Sequence, residues 1–118
     1  MNRNYRQLLA KVLNAMYAEK GQQNRVKEIL SAYGEETYHR EQDRVHLGIL
    51  KLAWSEPENL EAFTQLACTD YRDLLCLAEY PLSSRWYGLR KKDPDKYRKL
   101  QEKEADEYDL WLTEVLSA

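Results

Sequence analysis

YHREQDRVHLGILKLA, residues 38–53, is the stretch that decides the fold. On a helical wheel of about 100° per residue, Tyr38, Val45, Ile49, Leu52 and Ala53 share one face, and Leu47, Leu50 and Trp54 form a second face beside it. Only a narrow polar stripe remains, carried by Arg40, Arg44 and Lys51. A helix that is apolar around most of its circumference has to be packed on more than one side. The expectation is a central helix over about residues 36–54, starting near Glu35 or Glu36, where acids suit the positive end of the helix dipole. Gly48 lacks a side chain and can let a neighbouring helix cross closely.

Working outward, Asn4 is placed to cap a first helix whose residues Tyr5, Leu8, Leu9, Val12, Leu13, Met16 and Tyr17 keep helical three-four spacing, with Gly21 as its end. A second helix from about Gln22 buries Val26, Ile29, Leu30 and Tyr33 and stops at Gly34. On the other side, Ser55 and Glu58 have capping-box spacing around Pro57, opening a fourth helix that buries Leu60, Phe63, Leu66 and Ala67. Thr69 is expected to cap a fifth helix with Tyr71, Leu74, Leu75 and Ala78 inward, and Pro81 closes it. Residues 82–92 read as a connector. Asp93 and Pro94 then start a long last helix running to about Leu116, its first half solvated and its second half docked through Tyr108, Trp111, Leu112 and Val115.

The composition agrees with this pattern. Four Gly and three Pro in 118 residues leave little material for a turn-rich β fold, and the length suits one domain, residues 1–118, burying roughly two-thirds of its unfolded surface. The fold class expected is all-α, a compact bundle of five to six helices. Eighteen Lys and Arg against twenty Asp and Glu give a net charge of −2, so any electrostatic role must come from local clustering. No window is apolar enough for a membrane span and the N-terminus has no signal-peptide pattern, which predicts a soluble, cytoplasmic protein. Cys68 and Cys76, in apolar surroundings without a CxxC, are expected to be small buried thiols.

DRVHLGILKLA, then ENLEAF, then TDYRDLLCLAEYP, in that order, resembles a family of small uncharacterised bacterial all-helical proteins, through an RV-x-x-x-ILKLA helix and a DYRD-L-x-x-AEYP helix. The resemblance covers roughly residues 36–81, weakly includes the first two helices and leaves residues 82–118 unmatched. It implies a compact helical bacterial domain. It supplies no catalytic residue and no cofactor.

Three local clusters have chemical potential. His39, Asp43 and His46 stand at i, i+4 and i+7, which on a continuous helix places three metal-type donors on one face, although the chain has no third histidine. Asp70, Arg72, Asp73 and Glu79 surround the fifth helix, where paired acids can do acid-base work but first-turn carboxylates more simply serve the helix dipole. The stretch 85–99 interleaves Arg85, Arg90, Lys91 and Lys92 with Trp86, Tyr87 and Tyr97, combining cations for anionic partners with rings for stacking. An acidic run, Glu102 to Asp109, follows it directly. No phosphate loop, nucleophile elbow or dinucleotide fingerprint occurs.

The reading from sequence is therefore a non-catalytic protein-interaction or structural module. It needs no cofactor, its partner is another protein or a second copy of itself, and Arg85, Trp86, Tyr87, Arg90, Lys91 and Lys92 are the partner-binding candidates. A nucleic-acid binder using residues 85–99 is the second reading and a metal-dependent enzyme using His39, Asp43 and His46 the third. The last helix, basic early and acidic late, has a charge polarity suited to antiparallel self-association.

Overall fold

The computed structural model describes residues 3–117. The chain is all-α, and among the described residues it forms no strand. Its elements are α1 (Tyr5–Met16), α2 (Lys20–Leu30), α3 (Gln42–Ser55), a 3-10 turn (Pro57–Asn59), α4 (Leu60–Thr69), α5 (Tyr71–Glu79), α6 (Pro81–Arg85), α7 (Leu89–Lys92) and α8 (Pro94–Leu116). None of these helices is long and apolar enough to cross a membrane.

α3 is the hub that its pattern demands. Val45, Leu47, Ile49 and Leu50 are fully buried, and α1, α4 and α5 pack around them. Burial of each such side chain stabilises the fold by about 1.5–3 kcal/mol. Gly48 marks the crossing with α5: a Cβ there would stand 3.2 Å from both the Ala78 Cβ and a Leu74 methyl. The C-terminal half of α8 joins the same core through Tyr108, Trp111, Leu112 and Val115.

The start of α3 differs from expectation. The helix begins at Gln42, and residues 31–41 form a looped segment organised by Tyr33. The Tyr33 ring is buried, and its hydroxyl donates to the Arg40 carbonyl (2.7 Å) and accepts from the Arg40 N–H (3.0 Å). His39 stacks on that ring at 4.4 Å, and its Nδ1 accepts from the Gly34 N–H at 2.7 Å. Gly34 has φ 128 and Glu41 has φ 49, so the backbone enters α3 through left-handed conformations that no helix could contain. Helix propensity over residues 36–41 is worth only tenths of a kcal/mol per residue, and the aromatic anchor with its hydrogen bonds outweighs it.

Other boundaries move for similar local reasons. α1 ends at Met16 and Gly21 falls inside the first turn of α2, because the break is made at Tyr17, whose extended backbone carbonyl accepts from the Gln23 side chain at 2.6 Å. α2 ends at Leu30, so Gly34 belongs to the loop rather than to the helix stop. Ser55 is the last residue of α3, with its hydroxyl turned back to the Leu52 carbonyl at 3.4 Å, so the expected capping box is replaced by the 3-10 turn. Asp70 caps α5, accepting from the Arg72 and Asp73 amides, while the Thr69 hydroxyl donates to the Gln65 carbonyl. The caps expected at Asn4 and Asp93 both form, accepting from Gln7 and Lys96 at 3.1 Å each. Cys68 and Cys76 are half-buried free thiols rather than fully buried ones, and Cys68 donates to the Ala32 carbonyl.

Candidate functional site

The segment read as a connector, residues 82–92, is two short helices held on α8. Pro81 occupies the first turn of α6, where its missing N–H costs nothing. The next two amides need acceptors, and Glu104 of α8 supplies both, accepting from Leu82 at 2.8 Å and Ser83 at 2.9 Å. Glu104 is buried by this contact. Its negative charge against the positive end of α6 fixes that helix across the middle of α8. Farther out, Tyr87 meets the buried Tyr97 edge-on with centroids 6.3 Å apart, anchoring α7 beside the start of α8.

This arrangement leaves a groove of about 510 Å³ between α6–α7 and the first half of α8. Leu82, Trp86, Leu89 and Leu100 supply its apolar lining, and Lys96, Lys99 and Lys103 its basic rim. Trp86 is 58% exposed and Leu82 41%, large values for apolar side chains lying side by side. Arg85, Arg90, Lys91 and Lys92 are exposed along α6 and α7. Among the described residues none of these seven cations forms an ion pair. Arg90 lies over one face of the Tyr87 ring at 4.6 Å.

Of the six residues singled out from sequence, Trp86 lines the groove, Tyr87, Arg90, Lys91 and Lys92 lie in or beside α7 without lining it, and Arg85 edges a separate cleft with Asp73 and Leu77. Leu82, Leu89, Lys96, Lys99, Leu100 and Lys103 line the groove and were not among those six. One signal was available: Glu104 sits at an apolar register position of α8 between Leu100 and Tyr108, and an acid there needs a partner from another element.

The histidine cluster is not assembled. His39 lies in the loop before α3 with Nδ1 occupied by the Gly34 amide, so it shares no helical face with the other two. His46 is buried with Nε2 2.7 Å from the Tyr33 carbonyl, and burial lowers its pKa. Asp43 instead edges a cleft with Arg6 and Lys27. Among the described residues no three His, Cys, Asp or Glu side chains come together to hold a metal ion.

The acids of α5 are also engaged. Asp70 caps the helix, and Glu79, 4% exposed, takes a bidentate contact from Arg44, with Nε to Oε2 at 2.9 Å and Nη2 to Oε1 at 2.5 Å. Arg44 also reaches Glu41 at 3.0 Å, and the Glu79 hydrogen bonds hold its guanidinium more firmly in the charged form. The polar stripe of the hub is thus not open to a partner along its length: Arg44 is consumed by Glu79 and Glu41. Lys51 lies half-buried 6.0 Å from the Tyr108 ring, its pKa pushed down by burial. Only Arg40 is exposed. A cleft of about 450 Å³ between α2 and α4 carries Arg25 beside Glu28 and Glu61, so its charges offset each other.

Comparison of the chain with protein-family models, with curated proteins and with solved structures finds no match. The resemblance drawn from residues 36–81 is therefore unaccompanied by any relative of known role, and function has to be argued from the groove itself.

Proposed function

We propose that this protein is a non-catalytic protein-interaction module whose working surface is the groove between α6–α7 and the first half of α8. The observation that carries the reading is the pairing of an exposed apolar lining with a rim of unpaired lysines. Exposed apolar side chains in one patch are a liability unless something covers them, and a tryptophan in such a patch is the residue type that most often anchors a protein interface. The partner is a polypeptide with an acidic, apolar-centred surface, matched in charge to Lys96, Lys99 and Lys103. The two free cysteines accord with action in the reducing cytoplasm.

A second reading, binding of single-stranded nucleic acid, is favoured by the same seven cations together with the exposed rings of Trp86 and Tyr87. It is weaker because Arg90 covers one face of Tyr87 and because Glu102, Asp106 and Asp109 continue along the outside of α8. A photo-crosslinking residue in place of Lys99 at the groove rim, activated in intact cells, separates the two. The expected product is a protein–protein adduct absent from a control with the same residue at Gln22; an RNA or DNA adduct establishes the second reading, and no adduct above the control overturns both.

A further inference from the structure

We propose that the groove is filled by a second copy of this chain, the two α8 helices lying antiparallel about a two-fold axis; the proposal rests on the groove being an interaction surface. At about 100° per residue, Lys96, Leu100, Lys103, Glu107, Leu110 and Glu114 fall within one stripe of α8 about 80° wide. The first three belong to the groove. The last three lie on the exposed side of the docked half, and Leu110, 66% exposed, is the one large apolar side chain among them.

Setting Leu100 of one copy opposite Leu110 of the other in antiparallel register brings Lys96 opposite Glu114 and Lys103 opposite Glu107. The two-fold axis repeats each pair, so one placement matches four charge pairs and seats both exposed leucines against apolar lining. A parallel alignment instead faces lysine with lysine and glutamate with glutamate. Residues 96 to 114 span about 27 Å of helix at 1.5 Å per residue. In this placement Leu110 enters beside Leu82 and Trp86, so α6 contributes to the contact as well as α8. The exposed ion pairs mainly set direction and register, while burial of Leu110 and Trp86 supplies the attraction. The charge segregation of α8, unfavourable for its own dipole, becomes complementary across the pair.

Sedimentation equilibrium on the full chain tests this. The expected result is a monomer–dimer equilibrium based on the 14.0 kDa chain. Leu110→Asp and Lys103→Glu should each weaken it by about tenfold or more, and the double variant Lys103→Glu/Glu107→Lys should bring the dissociation constant back to within about threefold of the original. Circular dichroism verifies that each variant keeps its helices, which the exposure of all three positions favours. A single 14.0 kDa species at millimolar concentration, or a dimer indifferent to all three variants, overturns the proposal. The crosslinker at position 99 keeps the two levels apart: a monomer that crosslinks to a different polypeptide removes the second copy and retains the interaction surface, whereas a monomer without crosslinks removes both.

Discussion

The hub around α3 and the corner built by α6, α7 and the start of α8 are opposite solutions to the same composition. At the hub, Val45, Leu47, Ile49 and Leu50 are covered on every side, and Arg44 is satisfied by Glu79 and Glu41. At the corner, Leu82 and Trp86 stand exposed and seven cations form no ion pair among the described residues. The corner is fixed to the rest by packing of α6 and α7 on α8, with the Glu104 carboxylate and the Tyr87–Tyr97 edge as its specific contacts. Apolar surface at the hub stabilises the fold, and apolar surface at the corner is available for binding.

The sharpest way to break this contrast is to truncate a leucine at the hub. Leu50→Ala leaves a cavity at a site closed by three helices, and chemical denaturation should show a loss of about 2–5 kcal/mol. A loss under about 1 kcal/mol would mean that α3 is not the organising element. Glu104→Ala comes next, because it strands the Leu82 and Ser83 amides. We expect a global loss of about 1–3 kcal/mol and faster hydrogen exchange over residues 82–92, with α3 still the most protected element. Equal loss of protection in α3 would show that the corner and the hub are one cooperative unit.

A smaller effect follows from pH. Burial lowers the His46 pKa, so the unfolded chain binds the proton more readily than the folded one between the folded value and about 6.5. Stability should therefore fall as pH drops below about 6.5 and level off below the folded pKa, and His46→Gln should remove that part of the slope. A pH profile unchanged by the substitution would place the acid sensitivity elsewhere. Smallest of all, Trp86→Ala should change stability by no more than about 0.5 kcal/mol while abolishing crosslinking or self-association. A large destabilisation would make Trp86 a core residue and remove the distinction.

Much of the hub was legible because a fully apolar helix has one physical interpretation. Residues 45–54, the Gly48 crossing, the Asn4 and Asp93 caps and the docking of Tyr108, Trp111, Leu112 and Val115 all follow local rules. The entry to α3 was not legible, since Tyr33 organises it by reaching seven residues ahead to Arg40, and no periodicity encodes such a contact. That one loop also undid the histidine cluster, which required His39 to be helical. Residues 82–92 looked like a connector because the first amides of α6 find their acceptor in Glu104, more than twenty residues away. Trp86 and the basic residues around it were visible as a composition, but their meeting with Leu100 and Lys103 exists only after α6 is set on α8.

The central claim, that the corner and not the hub joins two copies of the chain, is tested most directly by following backbone amide resonances as the protein is concentrated from micromolar to millimolar. The account predicts concentration-dependent shifts confined to α6, α7 and the Lys96–Glu114 stripe of α8, with the amides of α3 unmoved. Shifts centred on the α2–α4 cleft, or none at any concentration, would contradict it.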